Sequence, residues 1–378
     1  MTLAIGPGAL VADLDSRGLL PADWASVLGA VPRERFIPGR MWADEPETGY
    51  LPIDRGSEPD RWLDAVYSDR VIVTQFDDGA TEWPNIGHRP TCSASMPSAV
   101  VGMLDVLDVR DGDHVLEIGT GTGYNAALLA ARLGDDAVTS IEVDPVLADL
   151  ARANLDPAGH KPTVVCDDGA AGWSSRAPYD RVIVTATVQL GRFPYAWVEQ
   201  ASPGAVIVVP VRTELASGPL VRFTVGEDGA ATGRAVPMRV GFMELRAQRT
   251  PAAGLSELRW DDPAADVSYT EIEPWTTLLR DASQWAIAVA VPQCRHAVWK
   301  RTEQRRHGVA WLIDPLSRSW ASVVPGDRKG QFVVRQSGPR RLWDETETAY
   351  RWWQANGEPP VEAWQFVIGA DRQYVRLA

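Results

Sequence analysis

Cysteine is scarce in this 378-residue sequence. Cys92, Cys166 and Cys294 lie far apart and form no Cys-x-x-Cys pair, which argues against a disulfide framework and a structural zinc site. The five histidines are scattered and complete no ligand set, so no metal is expected. No apolar run approaches the 18 or so residues that cross a bilayer, so no membrane span or membrane partner is expected. The first 15 residues carry no basic stretch ahead of their apolar ones. No secretory signal is read there, and the cytoplasm is the expected location. Positive charge is also short. The 37 Lys and Arg against 50 Asp and Glu leave a formal charge of −13, and such a surface repels phosphate backbones. Nucleic acid is therefore not an expected partner.

An apolar fraction of 45% suffices for a core, and the length suggests two domains. Leu10, Val11 and Leu14, then Trp24, Val27 and Leu28, recur at helical spacing, so residues 8–40 read as helix, turn, helix. Residues 43–60, acidic with Pro and Gly, read as a loop, 70–75 as a strand, 76–90 as a loop, and about 95–107 as a helix. From residue 113 strands alternate with helices: HVLEIG, YNAALLAARLG, AVTSIEVD, PVLADLARANLD, PTVVCDD, YDRVIVTAT, AVIVVPV. That alternation predicts an α/β fold with a doubly wound parallel sheet of the Rossmann-like kind, which binds ligands at the carboxyl ends of its strands. Beyond residue 248 the character shifts, and ten of the 16 tryptophans lie past 250. Strands are predicted at 285–291, 308–313, 320–324 and 331–335, a helix at 342–355 and a terminal hairpin, together an α+β extension. The expected domains are a helical, substrate-side segment at 1–75, a cofactor-binding core at 76–246 and the extension at 247–378, read as a peptide-recognition unit.

The chemistry is written after the strand HVLEI, in Gly119-Thr120-Gly121-Thr122-Gly123 followed by a helix. Glycines allow a tight turn and a close ligand approach, and the helix N-terminus offers free N–H groups to an anionic carboxylate. A dinucleotide site wants glycine at 119, 121 and 124, but position 124 is Tyr, so hydride transfer is disfavoured. One strand later Glu142 can accept both hydroxyls of a ribose. A further strand ends at Asp167-Asp168-Gly169, where a carboxylate can take an adenine amino group. A carboxylate-bearing adenosine compound fits all three, and S-adenosyl-L-methionine is the expected cofactor of a class I methyltransferase core.

Four separated segments resemble the protein-L-isoaspartate O-methyltransferase family across roughly residues 8–245. Val31–Pro38 (VPRERFIP) is similar to its N-terminal signature, Ala65–Asp69 (AVYSD) to its AYxD segment, and Ile86–Ser93 (IGHRPTCS) to its IGxGQTIS segment. Glu117–Gly123 and Asp167-Asp168-Gly169 with Trp173 resemble its cofactor loop and its GDGxxGW segment. The resemblance implies that Ser93 sits beside the acceptor carboxylate with Thr91 and Cys92 shaping the pocket edge. It implies a substrate-side loop of Ile86, Gly87 and His88. It also implies cofactor contacts at Glu117, Gly119, Thr120, Gly121, Gly123, Tyr124, Glu142, Val143, Asp167, Asp168, Gly169 and Thr185. An alternative for Ser93 is the N-cap of the helix that follows. A carboxylate acceptor is ionised near neutral pH and needs no general base, so no His–Asp relay is expected.

The chain departs from the family at Arg89-Pro90, where Gly-Gln is usual, and in extra residues at 43–60 and 71–85, which flank the expected acceptor pocket. The tail RLWDETETAYRWWQANGEPP resembles methyltransferases that accompany ATP-grasp peptide ligases. That resemblance implies methylation of an aspartate in a ribosomally made, cyclised peptide (a graspetide). The ester would then close to an aspartimide, with an ATP-grasp ligase as pathway partner. The alternatives are repair of isoaspartyl protein and a non-catalytic, cofactor-binding peptide chaperone. Arg295, His296, Lys300, Arg301, Arg305, Arg306 and His307 form a basic cluster that reads as a solvated face or an acidic-peptide site. Trp343, Tyr350 and Trp353 fall near helical spacing and read as a core stripe, and Cys166 as a small buried group.

Overall fold

The computed structural model describes residues 5–45, 47, 49–249, 262–299 and 308–378. Its central sheet runs in the order Gln373–Leu377, Trp364–Ile368, Ala231–Ala235, Ser217–Val225, Ala201–Arg212, Tyr179–Val184, Val115–Ile118, Val138–Glu142, Thr163–Cys166. The last five of these are mutually parallel and the rest antiparallel. The chain runs outward from Val115–Ile118 through Val138–Glu142 to Thr163–Cys166, then returns to fill the other side. The crevice at the carboxyl end of Val115–Ile118 is thus the topological switch point, where such sheets bind ligands. The fold is the expected α/β, doubly wound, Rossmann-like one with an added α+β C-terminal part.

Local sequence accounts for most elements. Pro opens the helices Pro7–Ser16, Pro59–Val66, Pro97–Leu107 and Pro145–Ala158, where its missing N–H costs nothing. Asp144 caps the last of these, accepting the N–H groups of Val146 and Leu147. The parallel strands read as continuous apolar runs because helices cover both faces, and Val115, Leu116, Val182 and Val184 are fully buried.

A second, four-stranded antiparallel sheet is ordered Gly49–Asp54, Arg40–Glu45, Ile72–Phe76, Pro90–Ala94. Residues 43–60, read above as a loop, contain most of a hairpin here, with Trp42 opposite Pro52. Pro52 hid it. A proline is tolerated in a strand at a sheet edge, and Gly49–Asp54 is an edge strand. The helix expected from about residue 95 starts at Pro97 with Met96 as its N-cap. Ser93 lies in the Pro90–Ala94 strand and is not that cap.

The C-terminal part holds a five-stranded antiparallel sheet, ordered Asp266–Thr270, Phe332–Ser337, Ser319–Pro325, Val309–Asp314, Arg295–Trp299. Of residues 285–291, expected as a strand, 285–290 belong to the helix Asp281–Ala290 and Val291 is its C-cap. Trp285, Ala286, Ile287 and Ala288 are all buried there, and an apolar run buried all round has no period that separates strand from helix. The helix Leu342–Ala355 forms as read, with Trp343 and Trp353 fully buried as a core stripe. The terminal hairpin crosses back onto the central sheet, Ala231 standing opposite Ile368. Cys166 is exposed instead of buried, because Thr163–Cys166 is the edge of the central sheet. Of the basic cluster, Lys300, Arg301, Arg305, Arg306 and His307 lie outside the described residues. Arg295 is ion-paired with Glu214 at 2.7 Å, and burial lowers the pKa of His296.

Candidate active site

A cavity of about 580 Å³ opens at the switch point. Its floor is the loop Gly119–Thr122. Gly119, Gly121 and Gly123 have φ of +97°, +54° and +93°, values that L side chains rarely adopt. A Cβ on Gly119 would lie 2.7 Å from Thr185 Oγ1, so the backbone there is bare for a reason of space as well. The Thr185 hydroxyl is held against the carbonyls of Gly119 (2.7 Å) and Ile118 (3.1 Å), clamping the loop to the neighbouring strand. Thr120 is tied by its hydroxyl to Ser140 at 2.6 Å. The helix Tyr124–Leu133 starts behind the loop with no side-chain cap, leaving its first N–H groups aimed at the cavity end.

Glu142 closes one wall. Its carboxylate accepts the N–H groups of Gly121 (2.8 Å) and Asp144 (3.1 Å), and burial raises its pKa despite those bonds. Val143, Asp168 and Gly169 also line the cavity, and Asp168 accepts the N–H of Ala170. Asp167 does not line it; its carboxylate accepts the N–H of Asp168 and shapes the turn. Glu117 lies beneath the loop, fully buried, bonded to Asn125 (2.7 Å) and Ser140, with its pKa pushed up to about 7 by burial. Glu117 and Gly123 thus support the loop without lining the cavity, while Tyr124 lines it. The Tyr124 hydroxyl is buried and has no hydrogen-bond partner among the described residues.

A further wall is the Pro90–Ala94 strand. A Cβ on Gly121 would stand 3.5 Å from Cys92 Sγ and 3.8 Å from the Ser93 carbonyl oxygen, so strand and loop are in near contact. Thr91, Cys92 and Ser93 all line the cavity, with different duties. The Thr91 hydroxyl donates to Gln75 Oε1 (2.8 Å) and accepts the N–H of Asp78 (3.0 Å), while Gln75 Nε2 donates to Asp144 (3.2 Å). That chain ties the strand to the core helix and commits the hydroxyl. The Cys92 thiol is buried and its pKa is pushed up to about 12 by burial, so it is a neutral packing group at physiological pH. Ser93 is half-buried, and its hydroxyl makes no hydrogen bond among the described residues. It is the hydroxyl of the three that remains available.

Ile86, Gly87 and His88 do not line the cavity. A Cβ on Gly87 would fall 2.2 Å from an Asp77 carboxylate oxygen, so glycine is needed there for loop packing. Asp77 accepts the N–H groups of His88 and Arg89 and the Thr81 hydroxyl, which holds its carboxyl below the usual range.

Two contributors were not singled out by residue, although the 1–75 segment was expected on the substrate side. Asp44 and Tyr50 reach the cavity from the hairpin, and Arg239–Arg246 with Arg249 cover it. The covering segment has no regular period, because backbone bonds hold it to one residue, Thr187. The Thr187 N–H donates to the Met243 carbonyl, its hydroxyl to the Phe242 carbonyl, and its own carbonyl accepts the N–H of Leu245. Arg246 pairs there with Asp78 (3.1 Å) and Asp144 (3.4 Å), and Arg249 with Asp78. Among the described residues there is no metal-binding cluster and no helix long and apolar enough to cross a membrane.

Comparison with known proteins adds the family context. Residues 61–249 match the family profile of protein-L-isoaspartate (D-aspartate) O-methyltransferases. The chain is 44% identical over 131 residues to a protein-L-isoaspartate O-methyltransferase of Methanococcoides burtonii, covering 34% of this chain and 63% of that one. It is 38% identical over 162 residues to the enzyme of that name from Ignicoccus hospitalis, covering 42% of this chain and 74% of that one. It therefore spans about two thirds of the length of these relatives. A solved protein-L-isoaspartate O-methyltransferase structure superposes with a TM-score of 0.53 at 21% identity, over 98% of this chain and 99% of that one. The shared fold thus extends through the C-terminal part.

Proposed function

The chain belongs to the protein-L-isoaspartate (D-aspartate) O-methyltransferase family, and from that premise we propose that it methylates the free carboxylate of an isoaspartyl residue in a protein or peptide. The cofactor is S-adenosyl-L-methionine, and the residues present fit it. The bare Gly119–Gly121 backbone and the uncapped helix suit its amino-acid end, Glu142 its ribose and Asp168 its base. When bound, it supplies an electrophilic methyl group on a sulfonium.

The observation that carries the reading is the near contact between the Ser93 strand and Gly121. It sets an uncommitted hydroxyl beside the cofactor loop. The acceptor arrives ionised, so the chain must position it and exclude water, and no base is required. Positioning of this kind contributes roughly 7–11 kcal/mol to such reactions. Among the described cavity-lining residues there is no histidine, and the neutral Cys92 thiol is unsuited to act as a nucleophile. Ser93 would donate to one carboxylate oxygen, and Arg239–Arg246 would cover the other side.

The test is a kinetic panel of isoaspartyl, aspartyl and cyclised aspartyl peptides with the intact chain and labelled cofactor. The isoaspartyl peptide should be the best acceptor. A second reading, methylation of an aspartate side chain in a cyclised peptide, is favoured by Arg89-Pro90, which replaces the usual Gly-Gln at the acceptor edge. In that reading the following amide nitrogen attacks the ester carbonyl, methanol leaves, and an aspartimide forms; an ATP-grasp ligase would supply the cyclised peptide. The extension does not separate the two readings, since the superposed isoaspartate enzyme has the same fold along its whole length. Methylation of only the cyclised aspartyl peptide would select the second. Cofactor binding with transfer to none would return the chain to a chaperone role.

A further inference from the structure

Arg89 lines the acceptor side of the cavity, four residues before Ser93 and just outside the strand. Its backbone is fixed three ways. Its N–H donates to the Asp77 carboxylate at 2.9 Å, and its carbonyl accepts the Asp77 N–H at 2.8 Å. Pro90 restricts it to extended geometry. The anchoring fixes the backbone of an exposed arginine at the cavity edge.

The arginines around it are engaged. Arg246 holds Asp78 and Asp144, Arg249 holds Asp78, and Arg212 holds Glu244. Arg89 makes no ion pair or side-chain hydrogen bond among the described residues. Arg212 lies close enough to feel the charges of both Arg89 and Arg295, and the glutamates beside it, Glu214 and Glu244, are already paired with Arg295 and Arg212. An unpaired guanidinium whose neighbouring glutamates are already taken attracts an anion from outside.

We propose that Arg89 is a specificity-determining residue that binds a second carboxylate of the acceptor peptide, a few residues from the one that is methylated. This rests on the carboxyl-methylation reading. Four extended residues span about 13 Å, so the second carboxylate lies roughly two to four residues from the first. A guanidinium matches a carboxylate with two parallel N–H donors, a match that a lysine reproduces only as a point charge. Asp44 lines the same cavity without an ion pair among the described residues, which provides a control of opposite sign.

The experiment uses the full chain and synthetic isoaspartyl and aspartyl peptides with Glu placed one to four residues from the acceptor, each paired with its Gln counterpart. Binding is measured in the presence of S-adenosylhomocysteine, and methyl transfer separately. The wild type should prefer the best-placed Glu peptide by roughly three- to ten-fold in binding, the scale of a partly exposed charge pair. R89Q should remove the preference while the Gln peptides bind and turn over as before, R89K should keep part of it, and D44N should leave it in place. An unchanged preference in R89Q overturns the proposal, as does a loss in R89Q of cofactor affinity alone. Because binding reads Arg89 and ester formation reads the parent activity, failure of one is distinct from failure of the other.

Discussion

Replacing Gly119 with alanine tests the cofactor loop at its tightest point. Two independent costs arise. The φ of +97° is unfavourable for any L side chain, at about 1–2 kcal/mol. The new Cβ would sit 2.7 Å from Thr185 Oγ1, and Thr185 cannot swing away without losing its bonds to the Gly119 and Ile118 carbonyls. Overpacking of that sort costs about 1–3 kcal/mol. The sum, about 2–5 kcal/mol, should lower the melting temperature of a chain of this length by about 3–6 °C. It should also weaken binding of S-adenosylhomocysteine by about tenfold or more, measured by calorimetry. The two costs can be separated. Thr185→Ala removes the oxygen the Cβ would meet, so Gly119→Ala/Thr185→Ala should be less destabilised than the sum of the single variants by about 1–3 kcal/mol. A Gly119→Ala protein that melts normally and binds with unchanged affinity refutes the loop assignment, and strict additivity refutes the steric argument.

Three further outcomes are expected. Ser93→Ala should lower kcat/KM about 10- to 100-fold, the value of one hydrogen bond to a charged group, with melting and cofactor affinity unmoved. Glu117→Gln should flatten the pH dependence of stability. The buried Glu117 holds its proton up to about pH 7 when folded, while an unfolded Glu releases it near its ordinary value, so folding is penalised by ionisation as pH rises through that window. The variant should therefore gain roughly 1–3 kcal/mol over wild type at pH 8 and little at pH 4, read by urea denaturation. Cys166 is exposed while Cys92 and Cys294 are buried with thiols pushed up to about 12, so a thiol reagent should label Cys166 in the native protein and the other two after denaturation.

The cofactor half of the site was legible because its constraints are local. Positive-φ glycines, strand-end carboxylates and a helix start are all written within a few residues of one another. The acceptor half was legible only where a motif carried it, as at Ser93. Thr91, grouped with Ser93 by motif, has its hydroxyl committed to Gln75 and Asp78, partners that spacing does not reveal. Gly87, read as a substrate contact, serves the packing of Asp77 instead. The covering segment Arg239–Arg246 is held by long-range bonds to Thr187 and leaves no periodic trace. The same limit applies to the fold. Pro52 masked an edge strand, seven apolar residues at 285–291 fitted strand and helix equally, and pairing of Ala231 with Ile368 joins positions more than a hundred residues apart.

Tandem mass spectrometry of an isoaspartyl peptide, after incubation with the chain and S-adenosyl-L-methionine, tests the central claim most directly. One added methyl group, localised to the free carboxylate of the isoaspartyl residue and lost on mild base treatment, is the expected result. A methyl group on an amine or hydroxyl, or none on any carboxylate while the cofactor binds, would contradict it.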